Sequence, residues 1–183
     1  CFTYSLHPLQ AFADIEKAVI DLKDTVFSIE GDEERIHVFE EMLETTGNRY
    51  FKIAEEQKSI YHATACVVSN YLVTLMDYGL SLFEAIGIKG EDGYKALYPL
   101  IDGTVKNIYN LGTEKALTGP IARGDVETIG NHIKSIEKIA QDKLDFYKLM
   151  GGMTLELAKR DRLNDNEKIE ELQNILRGES NGK

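Results

Sequence analysis

The chain is poor in cysteine, and what it has is not arranged for bridging. Two cysteines in 183 residues, Cys1 and Cys66, leave no disulfide framework, and Cys66 sits in an apolar stretch where a free thiol behaves as a small hydrophobe. A reducing, cytoplasmic setting is therefore expected. Basic residues are also scarce: 21 Lys and Arg face 31 Asp and Glu. No local cluster offsets that balance, so the field repels phosphate backbones and nucleic acid is not an expected partner. There is no GxGxxG and no GxxxxGK(S/T), which removes phosphate cradles of those kinds from these residues. No GxSxG announces a hydrolase, no His/Cys/Asp spacing suggests zinc or a metalloprotease pair, and no metal is expected. Internal repeats and low-complexity linkers are missing as well. The opening "CFTYSLHPLQ" has neither an initiator methionine nor a charged region leading into an apolar one, and the chain is expected to begin partway through a longer protein.

What is present starts as α/β. Alternating Phe2, Tyr4 and Leu6 predict a short half-buried strand that His7-Pro8 ends, because proline cannot donate to a ladder. A short helix over residues 14–23 precedes a second strand, "TVFSIEGD" (25–32), which closes in a Gly-Asp turn. Asp32 then reads as the N-cap of a helix with Ile36, Phe39, Met42 and Leu43 on its apolar side and Gly47 at its end. "RYFKIA" (49–54) is a third strand. The first 57 residues thus read as the closing portion of an α/β sheet.

From Lys58 onward the apolar period is helical. The stretch "SIYHATACVVSNYLVTLM" (59–76) carries no charge, which raises a bilayer span. Ser59, His62, Thr64, Ser69, Asn70 and Thr74 are spread through it and would be penalised in lipid, so no membrane is expected. A core helix running to Ile86 and ended by Gly87, buried by its own domain and a second subunit, is the simpler expectation. Further helices are predicted over residues 93–111, beginning near Pro99 or kinked there, over 126–140, from about 141 to 162, and over 166–177 behind an Asp165 cap. The closing "GESNGK" reads as a frayed polar tail.

Three groups of residues carry chemistry. On the uncharged helix Lys58, His62, Ser69 and Asn70 fall within about 120° of one another, one polar stripe. They line a cleft at the sheet–helix boundary, or else Ser69 and Asn70 are satisfied polar groups in a helix–helix contact and His62 is a hydrogen-bonded core histidine. The decapeptide "ALTGPIARGD" (116–125) is the second group. Gly119-Pro120 fixes a turn, Gly124 permits a positive φ and Asp125 caps the next helix, so the loop is rigid and its amides point one way. Thr118, Gly119 and Arg123 make a seat for a carboxylate or phosphate, unless Arg123 simply pairs with Asp125 or Glu127. His7 and Gln10, just past the first strand, stand where ligands bind in open α/β sheets, although an ordinary strand-end turn has the same residues. His37 and His132 lie on amphipathic helices as surface or rim residues.

Taken in order, "SLHPLQAFA", "FSIEGD", "YHATACVVSNYLVTL", "ALYPLIDGTVKNI" and "ALTGPIARGD" closely resemble bacterial Rossmann-like proteins of unknown function whose C-terminal half is a helical domain of the 6-phosphogluconate dehydrogenase C-terminal type. More distantly the layout is similar to pyrroline-5-carboxylate reductase. That family's Ser-Gly-Pro segment falls at Ser69-Asn70, and its carboxylate-receiving Pro-Gly-Gly-Thr loop falls at the decapeptide, where Ala122-Arg123-Gly124 replaces Gly-Gly-Thr. The catalytic lysine that β-hydroxyacid dehydrogenases place one turn before an asparagine is replaced by Cys66 before Asn70.

The resemblance implies a mainly α protein: a helical bundle of that C-terminal type over residues 58–183, with a short α/β remnant of a Rossmann sheet over 1–57. It implies an NADP- or NAD-dependent oxidoreductase acting on a C=N or C=O group of a small carboxylated metabolite, a cofactor this stretch alone is not expected to bind well, and a homodimer through the helical domain. The expected roles are His62 or Lys58 as proton donor, Ser69 and Asn70 orienting the reacting group, Thr118, Gly119 and Arg123 holding the carboxylate, and His7 and Gln10 against the cofactor. The competing expectation is a non-catalytic dimerisation or ligand-sensing module.

Overall fold

The computed structural model describes residues 2–178; the predicted frayed tail lies outside them from residue 179 on. The chain is mainly helical with a small sheet near the start, and it forms two compact units, Cys1–Met76 and Asp77–Lys183.

In the first unit three strands stand in the order β1 (Tyr4–Pro8), β2 (Phe27–Gly31), β3 (Tyr50–Lys52), with β1 antiparallel and β3 parallel to β2. The first strand runs through His7-Pro8 instead of ending before it. An edge strand with no outer neighbour tolerates a residue that cannot donate. His7 faces Ser28 and Pro8 faces Phe27 in the register. The core is built on Ile29, Ile36 and Leu43, with Tyr4, Leu6, Phe27, Phe39 and Tyr50 packed around them. Helix α1 (Ile15–Asp21) is capped by Asp14 and continues as a 3₁₀ turn to Asp24.

Helix α2 (His37–Thr46) starts later than expected. Asp32 is not its cap, because that carboxylate accepts from the Thr3 backbone N–H at 3.0 Å and so ties the loop back to β1. Gly47 does end α2, in the left-handed region at φ 76°. Asn48 follows at once and donates from Nδ2 to the carbonyls of Leu22 and Thr25, which fixes the return into β3.

The uncharged helix differs most from expectation. It divides into α3 (Lys58–Val68) and α4 (Asn70–Ala85) at Ser69, where φ is −112° and ψ −72°. No residue of α3 or α4 is buried. Ile60, Val67, Val68, Tyr71 and Val73 are each more than half exposed. By length and composition Glu55–Ala85 is enough to cross a bilayer, and none of its apolar window is buried within the chain. The expectation of a helix buried by its own domain is thus corrected; its pattern is apolar, but this chain does not cover it.

The second unit holds α5 (Gly90–Ala116), α6 (Pro120–Arg123), α7 (Val126–Ile139), α8 (Leu144–Ala158) and α9 (Asn166–Arg177). Pro99 lies inside α5, and the break falls instead at Gly112, with φ 78° and ψ 166°. The run predicted from 141 is a 3₁₀ turn followed by α8, and Asp165 caps α9 as expected, accepting from Glu167 and Lys168 N–H. Ile121, Ile129, Leu155, Ala158, Leu163, Leu172 and Leu176 form one core among α6 to α9. Gly151 lets α9 approach α8, since a Cβ there would meet Leu176 Cδ2 at 2.5 Å. Leu172 is wholly buried, so Leu172→Ala should cost this unit about 2–5 kcal/mol, read as a lower denaturation midpoint at unchanged slope.

Candidate functional site

The first unit gathers most of the residues singled out from the sequence. β1 delivers His7 and the turn after it delivers Gln10, while α3 delivers Lys58, Tyr61, His62 and Cys66 on successive turns. His7 Nδ1 and the Tyr61 hydroxyl share a hydrogen bond of 2.8 Å. Their rings meet edge to face at 5.6 Å and 89°, and Phe51 of β3 packs against Tyr61 from elsewhere at 5.7 Å and 70°. One turn along, His62 Nε2 lies 3.6 Å from Cys66 Sγ. Lys58 is committed: its ammonium stands 2.7 Å from Glu30 Oε2. That oxygen is buried without a hydrogen-bond partner, and the lysine charge is what compensates it.

Two hollows open here, both lined by His7 and His62. One of about 270 Å³ adds Gln10, Cys66, Ser69 and Asn70. The other, of about 430 Å³, adds Ser5, Ser28, Lys58 and Tyr61. Within this chain the polar stripe lines open space, and the bend at Ser69 sits at its edge. His62, Ser69 and Asn70 are exposed, and His7, Tyr61 and Cys66 are half-buried. Chemically, this is a set of uncharged amide and hydroxyl groups with two imidazoles, a thiol and a phenol. Tyr61 is the participant that sequence reasoning missed; it adjoins His62 in the chain, but its partner is 54 residues away.

Thr118, Gly119 and Arg123 belong to the second unit. Gly119 has φ 97°, Pro120 opens α6, Gly124 has φ 66° and closes it, and Asp125 caps α7, so the mechanical reading of the decapeptide holds. Gly124 is also packed: a Cβ would lie 2.7 Å from Lys168 Cδ and 3.0 Å from Leu163 Cδ1. The Asp125 carboxylate accepts from the Thr128 N–H at 3.0 Å and the Thr128 hydroxyl at 2.7 Å. The Arg123 guanidinium only grazes it at 4.0 Å and is two-thirds exposed. Arg123 therefore has most of its hydrogen-bonding capacity to offer a ligand. Thr118 lines a hollow of about 420 Å³ with Thr104 and Asn107 of α5 and apolar walls from Leu100, Ile108 and Leu157.

The same unit holds an apolar cleft of about 510 Å³ bordered by Leu82, Phe83 and Ile136. At its polar end the Tyr147 hydroxyl and His132 Nδ1 lie 2.8 Å apart. Burial raises the Tyr147 phenol, helped by Tyr78 nearby. His132 is exposed, at the rim as expected.

The hydrogen bonds from Thr128 hold the Asp125 carboxyl below its ordinary value, with a smaller contribution from Arg123. A group depressed in the folded state contributes stability above its unfolded value and loses it as the pH falls through the folded one. Asp125→Ala should therefore lower the melting temperature at neutral pH, and its deficit against the parent should shrink on acidification below about pH 4, as followed by circular dichroism.

A small mixed sheet followed by a long, largely helical region, with imidazoles and uncharged polar groups where strand end meets helix, defines an α/β-plus-helical class with a built hollow. The chain belongs to the family described as a domain of unknown function, DUF2520, whose match covers residues 25–154. It is similar to the crystal structure of protein TM1727 from Thermotoga maritima, at 29% identity and a TM-score of 0.77, over 87% of this chain and 63% of that one. It also shares the fold of "putative NADP oxidoreductase BF3122" from Bacteroides fragilis, at 24% identity and a TM-score of 0.69, over 85% of this chain and 58% of that one. The chain thus spans about three-fifths of the length of these solved structures. No curated protein matches it.

Proposed function

We propose that this chain is the substrate and dimerisation portion of an NAD(P)-dependent oxidoreductase that acts on a C=N or C=O group of a small carboxylated metabolite. Residues 1–57 close a Rossmann-like domain in this reading, and 58–183 are a helical domain of the 6-phosphogluconate dehydrogenase C-terminal type. The observation that carries the reading is the convergence of His7, Gln10, His62, Ser69 and Asn70 on one hollow just past the carboxyl end of β1. The shared fold of the protein described as a "putative NADP oxidoreductase" supports it.

The residues present fit one end of such a cofactor. Gln10 supplies a donor and an acceptor of the kind a carboxamide needs, in a hollow with apolar walls. The described residues contain no glycine-rich turn for a pyrophosphate, and in this reading that end is held by residues outside them. When bound, the nicotinamide exchanges hydride with the substrate. This chain's part is to orient the reacting group with Ser69 and Asn70 and to deliver a proton from an imidazole of the hollow, Lys58 being held by Glu30. Thr118, Gly119 and Arg123 would receive the carboxylate, the guanidinium replacing a purely backbone seat.

The test joins the chain to a nucleotide-binding half and follows nicotinamide absorbance against keto and imino acids. Arg123→Ala should raise KM for an acid substrate at least about tenfold and leave cofactor affinity within about twofold. Equal loss of both would make Arg123 structural.

The exposed apolar side chains of α3 and α4 support a second copy of this chain as their cover. Lipid is disfavoured by the six polar side chains between Ser59 and Thr74. Native mass measurement should give a dimer, and Val73→Glu, at a site 69% exposed in the single chain, should yield monomer. A dimer that survives the change would move the interface elsewhere.

A further inference from the structure

Among the described residues, the hydrogen bond between Tyr61 and His7 and the Lys58–Glu30 ion pair are the polar side-chain contacts at the hollows that join α3 to the sheet. Tyr61 is wedged between both edge strands: its ring meets His7 of β1 edge to face and Phe51 of β3 at 70°. A phenol held on two sides has little rotational freedom left, so the hydroxyl is delivered to one nitrogen of one imidazole. Among the described residues no other partner of that hydroxyl is found.

We infer that the Tyr61 hydroxyl donates to His7 Nδ1 and locks the ring as the Nε2–H tautomer, making His7 the proton donor of the hollow and a carbonyl oxygen its target. The direction of the bond follows from acidity: a phenol O–H is a good donor, and an unprotonated imidazole nitrogen is the better acceptor of the two. With Nδ1 occupied, the remaining ring proton sits on Nε2, because the hydrogen bond at one nitrogen sets the state of the other.

The neighbours favour this assignment over the other candidates. His62 has its Nε2 at the Cys66 thiol, and the Lys58 ammonium is neutralised by Glu30. The polar groups lining the hollows with His7 include Ser5, Gln10, Ser28, Ser69 and Asn70, with Lys58, Tyr61, His62 and Cys66 from α3, and the Glu30 carboxylate that reaches Lys58 is neutralised by it. None carries a fixed negative charge free to steady a cation. An iminium nitrogen has no lone pair with which to accept from an N–H and would want such a charge; a carbonyl oxygen gains negative charge as it reacts and wants a donor. The substrate class is accordingly a keto acid and not an imino acid, which deepens the oxidoreductase reading and rests on it.

The proton balance is closed. The Nε2–H bond breaks as an O–H bond forms on the substrate oxygen while the phenolic proton passes to Nδ1; a solvent proton then adds to Nε2 as the Nδ1 proton returns to the tyrosine oxygen, which restores the starting tautomer. Tyr61 touches His7 and not the substrate, and is a positioning residue.

Nitrogen-15 histidine spectra of this chain test the tautomer without any substrate. His7 should show a protonated Nε2 and a bare Nδ1, and Tyr61→Phe should convert this into a mixture of tautomers. Phe51→Leu keeps the hydroxyl and should leave Nε2–H dominant, which separates loss of the bond from loosening of the fold. A protonated Nδ1 in the parent, or an unchanged pattern in Tyr61→Phe, overturns the assignment. In the complete protein Tyr61→Phe should lower kcat for a keto acid by about 10²-fold with KM within about twofold. Turnover of cyclic imino acids with none of keto acids overturns the substrate class. Turnover of neither defeats the oxidoreductase reading, while the tautomer spectra still decide the role of Tyr61.

Discussion

The helical stretch Glu55–Ala85 is long and apolar enough to cross a bilayer, yet none of its apolar window is buried within this chain. Each buried Val, Leu or Ile is worth roughly 1.5–3 kcal/mol relative to exposure. α3 and α4 forgo that gain at Ile60, Val67, Val68, Tyr71 and Val73. Soluble monomers rarely leave such a contiguous surface to water. The residues proposed for chemistry are interleaved with these: His62 lies between Ile60 and Val67, and Ser69 and Asn70 lie between Val68 and Tyr71. Whatever covers the apolar side also governs how much water reaches the polar one. Stability of the complete protein and electrostatics of the hollow are thus properties of a single surface.

Local signals were readable where a single residue type answers a backbone need. Gly47, Gly124, Asp125 and Asp165 do what their positions announced, because a left-handed φ or an orphaned N–H leaves few alternatives. Asp32 shows the limit of that reasoning. Its side chain has the chemistry of a cap, yet the Thr3 N–H claims it across 29 residues. The strand through Pro8 and the bend at Ser69 were equally hidden, since each depends on what stands beside the backbone and not on its own sequence.

The site was legible in part for the same reason. Helical spacing put His62, Ser69 and Asn70 on one side of the helix, and they do line one hollow with His7 and Gln10. Spacing assigned Lys58 to that stripe too, but Glu30 on β2 engages it, a pairing no periodicity encodes. Tyr61 escaped because an aromatic beside a histidine on an apolar helix reads as packing. Only the approach of β1 gives its hydroxyl a side-chain partner. In the decapeptide, rigidity was readable and orientation was not: glycines and proline fix the path of the chain, while the weak grip of Asp125 on Arg123 emerges only once Thr128 is seen to occupy that carboxylate.

Gly112 interrupts α5 with a φ of 78° and a ψ of 166°, a combination that residues with a Cβ essentially never adopt. No neighbouring atom lies within 4 Å of where a Cβ would be, so the demand comes from the backbone and not from crowding. Every missense change reachable from a glycine codon by one nucleotide introduces a side chain, and each would pull this corner toward an unbroken helix. The route by which the chain leaves α5 for the decapeptide is therefore held by a position with no substitute in the genetic alphabet, although nothing touches it.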